Sequence, residues 1–365
     1  MTEVARTDRL DPAVFRLPVE RIRDGYYSDA YFTLTKELLE AEDQHPEVTM
    51  QVFQKTHAVL GGVDEAVAAL KQCSGHRAAD GEWVPGFGQL EVHALYEGAT
   101  IAPHETVMTI AGDYALFAHL ETVYLGAMAR RTLVMKNVHE VVEAASGKQI
   151  LFFPARHDHW LVQTGDGFAA HVAGAIGVST DAQASWWGGV GVGTVPHALI
   201  ASYGGDTVAA ARAFAARFAG RMNVTVLVDF DNDSVATALA VAEALGDDLW
   251  GVRLDTSESL VDEGLAREMG EDAPSGVNVP LATGVRAALD DAGHPDVKIV
   301  CSGGFDAERI RRFEAEGAPV DAYGVGSSLL RGQNDFTADV VLLDGRPVAK
   351  VGREHRPNSR LERVL

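Results

Sequence analysis

Polar residues follow a series of short apolar segments in the second half of the chain. Arg156 follows ILFFPA, Arg253 and Asp255 lie in VRLD, and Ser302 follows VKIVC. Solvent contact at strand ends explains part of this pattern, but it does not explain two arginines at the ends of apolar strands. The pattern predicts that several strands supply polar groups to one pocket. A phosphorylated ligand in such a pocket would have to be held by backbone N–H groups, a few cations and a metal ion.

Two glycine-rich turns follow the last two of these segments. They are Ser302-Gly303-Gly304 and Gly324-Val325-Gly326-Ser327-Ser328. Each precedes a helical pattern, which places free N–H groups and the positive end of a helix dipole at the turn. Loops after the last two strands of α/β barrels are a frequent phosphate site. The turns therefore predict phosphate binding by Ser302, Gly303, Gly304, Gly324, Gly326 and Ser327.

The segment WWGGVGVGTVPH, residues 186–197, combines four glycines with a histidine. Its glycines allow the backbone to approach a ligand closely, and Thr194 with Pro196 next can begin a helix that carries His197 in its first turn. A histidine there can act as an acid, a base or a nucleophile, or it can be packed or solvated without a chemical role. The residues alone leave these roles of His197 open.

The elements that position these residues alternate between short apolar strands and helical patterns from about residue 149 onward. The predicted strands are 150–156, 175–180, 224–230, 249–255, 297–304 and 321–328. Such alternation indicates a parallel sheet with helical crossovers, and this many units in so short a stretch favours a closed barrel. The carboxyl ends of barrel strands form one rim, where the active site lies.

The first part of the chain has a different organisation, typical of an α+β domain with antiparallel strands. The predicted elements are a strand at 48–55, a helix at 62–73, two strands within 90–112, and helical stretches at 113–130 and on to 145. The tail, with a turn at Asp344-Gly345, is predicted to return and add strands to this domain. The fold class is therefore α/β: an irregular (β/α) barrel at 146–334, plus an α+β sandwich domain formed by 1–145 and 335–365.

The composition indicates which classes of binding partner and which cell compartment are expected. The chain has 365 residues with 31 basic and 52 acidic side chains, and its net charge of −21 disfavours nucleic acids and anionic membranes as partners. No apolar run reaches the length of a membrane span, and the charged N-terminus lacks the apolar stretch of a secretory signal. We expect a cytoplasmic protein, in which Cys73 and Cys301 are structural.

Several segments resemble the nicotinate phosphoribosyltransferase family. They are GYYSDAYF (25–32), GTVPHALI (193–200), VRLDTSE (252–258), CSGGFDAERIRRFEAEGAPVDAYGVGSSLL (301–330) and DFTADVVLLDGRPVAKVGR (335–353). The resemblance implies a sandwich domain plus an irregular barrel, assembled as a head-to-tail homodimer with shared active sites. It also implies that nicotinate and phosphoribosyl pyrophosphate form nicotinate mononucleotide and pyrophosphate in NAD salvage. ATP hydrolysis is then coupled to synthesis, and Mg²⁺ arrives bound to the substrate.

The resemblance also implies roles for single residues of the first domain. Asp29 and Tyr31 come from the partner chain, and Tyr31 stacks on the pyridine ring. Lys55 and Lys136 are candidates for binding pyrophosphate. The glycine-rich turns cradle the 5′-phosphate.

Further roles fall on the barrel. By the same resemblance Arg253 binds near the nicotinate carboxylate, and Asp255 holds ribose hydroxyls or helps to orient the magnesium-bound substrate. His197 matches the histidine that ATP phosphorylates. Ser179 lies near the position where relatives that use nicotinamide carry an aspartate, so serine favours the acid. Arg156 is expected to bind substrate.

One departure from the family pattern leaves alternatives open. The family usually shows two consecutive arginines after its first barrel strand, whereas this chain has Arg156 followed by His157, Asp158 and His159. This departure supports the alternative of a non-catalytic homologue that binds mononucleotides. A decarboxylating quinolinate phosphoribosyltransferase, which shares the implied fold, is a second alternative, although the few Lys and Arg residues at the strand ends and the GTVPH segment count against it. A metal hydrolase is a third, because His157 and His159 would share a face of a strand and could chelate a metal.

Overall fold

The computed structural model describes residues 5–365 as two compact units. The first unit comprises the chain up to Lys136 together with Gly332–Leu365, and the second comprises Asn137–Arg331. The strands are β1 (Glu47–Phe53), β2 (Ala58–Val59), β3 (Gly75–Arg77), β4 (Trp83–Pro85), β5 (Glu91–Ala94), β6 (Thr100–Ile101), β7 (Thr106–Asp113), β8 (Gln149–Phe152), β9 (Gly177–Val178), β10 (Thr225–Leu227), β11 (Gly251–Leu254), β12 (Lys298–Cys301), β13 (Ala322–Val325), β14 (Thr337–Leu343), β15 (Arg346–Pro347) and β16 (Glu362–Arg363). The α-helices are α1 (Val19–Arg23), α2 (Ala30–Ala41), α3 (Val63–Cys73), α4 (Glu121–Ala144), α5 (Gln163–Val172), α6 (Asp181–Ala184), α7 (His197–Ser202), α8 (Thr207–Phe218), α9 (Ser234–Leu245), α10 (Glu263–Met269), α11 (Val279–Asp291) and α12 (Ala307–Ala315).

An antiparallel sheet in the order β15-β14-β1-β7-β5-β16 forms the centre of the first unit. Strand β1 pairs with β7 on one side and with β14 on the other, so the tail returns to this sheet as predicted. One face packs on α3 through buried aliphatic residues such as Val52, Leu70 and Ile110. Apolar side chains on alternate strand positions meet the apolar face of a helix, which is the usual way for a sheet of this kind to exclude water.

Two sequence predictions in the first unit were wrong in detail. The helix predicted at 113–130, with a second stretch after it, is one helix (α4), and residues 114–120 before it form 3₁₀ turns. No proline interrupts α4, so its backbone hydrogen bonds continue without a break. Residues 90–112 form three strands, since the two-residue strand β6 pairs with β2 in a small separate sheet.

All six strands of the second unit are parallel, in the order β10-β11-β12-β13-β8-β9. The predicted fold class, a parallel α/β barrel unit plus an α+β unit, is confirmed. The strands are shorter than predicted at their carboxyl ends. Strand β8, for example, ends at Phe152, because Pro154 lacks an N–H group and leads into a 3₁₀ turn at Ala155–His157.

The glycine-rich segment before α7 links the two edges of this sheet. The Val192 N–H donates to the Val178 carbonyl of β9 (2.7 Å), and the Val195 N–H donates to the Thr225 carbonyl of β10 (2.8 Å). The segment runs so close to its neighbours that a Cβ on Gly191 would lie 2.8 Å from the backbone of Thr180. This short irregular stretch therefore bridges the two edges of the curled parallel sheet.

Two further observations concern membranes and thiols. Within residues 5–365, no helix combines the length and apolar character needed to cross a bilayer. Both cysteines are buried, and burial raises the pKa of Cys73 to about 11 and that of Cys301 to about 12. Thiols in such surroundings stay protonated at neutral pH, which makes them poor nucleophiles.

Candidate active site

The carboxyl ends of the parallel strands surround a cavity of about 430 Å³. Independent strands of the barrel thus converge on one pocket, at the end where α/β barrels carry their active sites. The predicted residues that line it are Arg156, Ser179, Arg253, Asp255, Ser302, Gly303, Gly304, Gly324, Gly326 and Ser327.

Arg253 is at the centre of a hydrogen-bond network in this cavity. Its Nε donates to Ser302 Oγ (2.7 Å), one terminal nitrogen donates to Thr194 Oγ1 (3.3 Å), and the other lies 3.4 Å from Asp255 Oδ1. Ser302 Oγ also lies 2.7 Å from Asp255 Oδ1. The guanidinium carbon lies 5.1 Å from the centre of the Phe153 ring. A planar cation fixed on several sides is well suited to bind a carboxylate in one orientation.

The first glycine turn offers backbone N–H groups to the cavity. Gly303 and Gly304 have φ values of +87° and +74°, a conformation that favours glycine at both positions. In the part of the chain that the structure describes, neither N–H donates a hydrogen bond. The N-terminus of the following helix, α12, has fewer free N–H groups than predicted, because the Asp306 side chain already accepts the N–H of Arg309. The amides of Gly303 and Gly304 therefore remain available as backbone donors at this turn.

The second glycine turn lies under two aromatic rings. A Cβ on Gly324 would lie 2.6 Å from the Phe153 ring, and a Cβ on Gly326 would lie 2.9 Å from the His157 ring. Any larger residue would displace these rings. The absence of side chains at Gly324 and Gly326 therefore lets these two rings pack against the backbone of the turn.

Ser179 is held by a buried glutamine. Gln183 Oε1 accepts the N–H of Ser179 (3.0 Å), its hydroxyl (3.1 Å) and the N–H of Thr180 (3.2 Å). Asp181, whose charge would affect any ligand beside Ser179, does not line the cavity, and its Oδ1 accepts the N–H of Gly191 (2.8 Å). The wall near Ser179 thus presents a neutral hydroxyl.

His197 begins α7 as predicted, and it pairs with a carboxylate. Its Nε2 lies 3.0 Å from Oδ1 of Asp229, which follows β10. Burial raises the pKa of the Asp229 carboxyl, and the neighbouring His197 opposes that shift. Pro196 lines the cavity, and His197, the next residue in the chain, is not among the residues that line it. A carboxylate on one ring nitrogen fixes the tautomer and leaves the other nitrogen for chemistry.

The remaining predicted residues belong to the first unit. Asp29 precedes α2 and accepts a hydrogen bond from Thr122 Oγ1 (2.8 Å), while the Tyr31 side chain is 61% exposed. Lys55 forms an exposed ion pair with Asp335, and Lys136 lies in α4. Their roles toward the substrate stay predictions.

Two lining residues were missed by the sequence reasoning, Phe153 and Arg331. Thr194 and His157 also line the cavity, although the sequence singled out Thr194 only as a helix start and His157 only as a possible metal ligand. The idea that His157 and His159 share a strand face is wrong, because residues 155–157 form a 3₁₀ turn. Moreover, His159 Nδ1 accepts the N–H of Leu161, and residues 5–365 contain no cluster of three metal-binding side chains.

Comparison with known proteins agrees with this geometry. Residues 29–132 match the family model described as quinolinate phosphoribosyl transferase, N-terminal domain. The crystal structure of nicotinate-nucleotide pyrophosphorylase from Pyrococcus furiosus superposes with a TM-score of 0.77 at 30% identity, covering 95% of this chain and 85% of that one. The chain belongs to the nicotinate/quinolinate phosphoribosyltransferase family.

Other members of the nicotinate/quinolinate phosphoribosyltransferase family match a smaller part of this chain. Nicotinate phosphoribosyltransferase pncB1 of Mycobacterium tuberculosis is 32% identical over 269 residues, which cover 71% of this chain and 55% of that protein. The chain thus spans about half the length of this curated relative. The crystal structure of human nicotinic acid phosphoribosyltransferase has a TM-score of 0.62 at 19% identity, covering 88% of this chain and 76% of that one, which supports the fold alone.

Proposed function

We propose that this protein is a nicotinate phosphoribosyltransferase, which joins nicotinate to the ribose carbon of phosphoribosyl pyrophosphate in NAD salvage. The observation that carries this proposal is the Arg253–Ser302–Asp255 network beside two glycine turns in one cavity. A fixed guanidinium suits the pyridine carboxylate, and glycine amides suit a phosphate group. The mycobacterial relative bears the name of the same activity.

The chemistry asked of these residues is mainly binding and orientation. When pyrophosphate leaves, positive charge develops on the ribose carbon, so the site must hold the pyridine nitrogen in line and stabilise the leaving group. Among the residues that line the cavity, Asp255 is the one carboxylate. A single carboxylate fits a site in which the substrate phosphates would hold most of the magnesium ion and Asp255 would supply the one protein ligand. Bound Mg²⁺ neutralises charge on the departing pyrophosphate.

The direct test is pyrophosphate release from phosphoribosyl pyrophosphate and magnesium, with and without nicotinate, each in the presence and in the absence of ATP. We expect release that depends on nicotinate, with an equal amount of nicotinate mononucleotide detected by chromatography. Protein that releases no pyrophosphate under these conditions contradicts the proposal and favours the non-catalytic homologue.

The neutral wall at Ser179 leads to a prediction about specificity. The Ser179→Asp variant places a carboxylate beside the bound pyridine, and like charges repel in a partly desolvated site. We expect kcat/KM for nicotinate to fall by about 10-fold to 100-fold, while turnover of nicotinamide rises. Steady-state kinetics with both pyridines measure the effect. Ser179→Asn is the matched neutral control, and an equal loss in both variants contradicts an electrostatic role for this position.

The proposal includes coupling to ATP through His197. Nε2 of His197 lies against Asp229, which leaves Nδ1 as the nitrogen able to take the γ-phosphoryl group of ATP. A phosphorylated His197 at the start of α7, next to the cavity residue Pro196, is well placed to change how the phosphoribosyl donor binds.

The proposal also includes a homodimer with shared sites. The α2 side chains Tyr31, Leu34 and Leu38, spaced three and four residues apart, are 61%, 62% and 57% exposed. A stripe of large apolar side chains on one helix face is costly in water, and a second copy of the chain would cover it. The resemblance assigns Asp29 and Tyr31, at the start of this helix, to the partner's active site.

This stripe gives a prediction for assembly. The Leu34→Glu/Leu38→Glu double variant introduces charges into the proposed interface, and we expect a monomer that has lost most of its activity. Light scattering after size-exclusion chromatography measures the mass. Val351→Glu, at a 99% exposed position in the same unit, is the control. A double variant that remains dimeric contradicts this interface.

A further inference from the structure

Arg331 is a cation in the cavity wall to which no role has been assigned so far. It directly follows the 3₁₀ turn Ser327–Leu330, and it lines the cavity together with Ser327 and Ser328. Its backbone is held firmly: the Asn137 side-chain amide donates to the carbonyls of Leu329 (3.0 Å) and Arg331 (2.9 Å). The Arg331 N–H also donates to the Ser328 carbonyl (3.3 Å). The backbone of this residue is therefore fixed next to the second glycine turn, by Asn137 on one side and by Ser328 on the other.

The charge of Arg331 has no carboxylate partner among the described residues. Within residues 5–365, no carboxylate lies within ion-pair distance of Arg331 or of Arg156, the other peripheral arginine of the cavity. Arg253 differs, because Asp255 lies 3.4 Å from it. In a chain with 52 acidic residues and a net charge of −21, two unpaired guanidinium groups at one cavity point to an anionic ligand.

We infer that Arg331 binds the 5′-phosphate of the ribose substrate, together with the turn at Gly326 and Ser327. The inference rests on the proposed function, which supplies a substrate with two phosphate-bearing ends. Continuity with the second glycine turn assigns Arg331 to the 5′ end. Its guanidinium supplies charge-assisted hydrogen bonds that the neutral backbone amides of the turn cannot. The 5′-phosphate is present in both substrate and product, so Arg331 contributes to binding throughout the reaction.

The experiment compares two probes that separate the two ends of the substrate. Ribose 5-phosphate and inorganic pyrophosphate with magnesium are titrated calorimetrically into the wild-type protein and into Arg331→Gln, Arg331→Lys and Arg212→Gln. Arg212 is an exposed arginine of the same unit, outside the cavity, and it controls for the loss of one positive charge. Circular dichroism confirms that each variant is folded. Product formation is measured on the same samples.

We expect Arg331→Gln to weaken ribose 5-phosphate binding by about 10-fold to 100-fold, as for loss of a charged hydrogen bond. Arg331→Lys should lose less affinity for ribose 5-phosphate than Arg331→Gln, and Arg212→Gln should bind ribose 5-phosphate as the wild type does. Pyrophosphate affinity should stay unchanged in all variants. Unchanged ribose 5-phosphate binding in Arg331→Gln, or an equal loss for both probes, overturns the assignment while leaving the proposed activity intact. A wild-type protein that forms no product overturns the proposed function instead.

Discussion

Replacing Arg253 by glutamine is expected to lower kcat/KM for nicotinate by about 100-fold to 1,000-fold. The guanidinium contacts Ser302 Oγ, Thr194 Oγ1 and Asp255, and it lies beside the Phe153 ring. Glutamine keeps a donor but removes the positive charge that the pyridine carboxylate requires. Stopped assays of nicotinate mononucleotide formation measure the loss.

The Arg253→Lys variant separates charge from geometry. A lysine keeps the positive charge, but one ammonium group cannot reproduce the planar set of donors that contacts Ser302 and Thr194. We expect an intermediate activity, above that of Arg253→Gln and well below the wild type. Arg212→Gln serves as the control for an arginine outside the cavity. Activity in Arg253→Gln close to that of the wild type contradicts the proposed placement of the nicotinate carboxylate.

The second large effect is expected at His197. The His197→Ala variant removes the imidazole that is proposed to accept the γ-phosphoryl group of ATP, so ATP should no longer stimulate product formation. Basal synthesis without ATP should continue, because the cavity residues are unchanged. Incubation with γ-labelled ATP should leave acid-labile label on the wild-type protein and none on the variant.

A substitution of Asp229 tests the same role of His197 with a smaller expected effect. Asp229→Asn keeps a hydrogen-bonding group 3.0 Å from His197 Nε2 but removes the charge that stabilises the ring during phosphoryl transfer. We expect slower labelling without complete loss. His355→Ala, at an exposed histidine of the first unit, should label as the wild type does. Full ATP stimulation in His197→Ala contradicts the coupling role.

The parallel strands and their polar ends could be predicted because both signals are local in sequence. Apolar runs such as VKIVC identify strands, and the residue that follows each run, such as Ser302, reaches the rim of the cavity. The position of Gln183 could also have been predicted from the sequence, because Thr180 and Gln183 form a capping box, a known pattern at the start of a helix. Arg331 follows a glycine turn that had already been identified, and its proximity to that turn was a usable signal.

Other features depend on contacts between distant residues. The hydrogen bonds that bridge the two edges of the parallel sheet join Val192 to Val178 and Val195 to Thr225, and no local pattern specifies these partners. The same holds for the pair of His197 and Asp229, which are 32 residues apart. The length of β8 was overestimated because its apolar run continues through Phe153, whereas Pro154 ends the regular backbone pairing.

The substrate panel tests the central claim most directly. Nicotinate, nicotinamide and quinolinate are each supplied with phosphoribosyl pyrophosphate and magnesium, with and without ATP, and both mononucleotide formation and carbon dioxide release are measured. Quinolinate belongs in the panel because residues 29–132 match a quinolinate phosphoribosyl transferase domain. We predict that nicotinate alone is converted rapidly, without carbon dioxide. Conversion of quinolinate with one carbon dioxide per mononucleotide, in preference to nicotinate, would contradict the account and assign the cavity to the decarboxylating reaction.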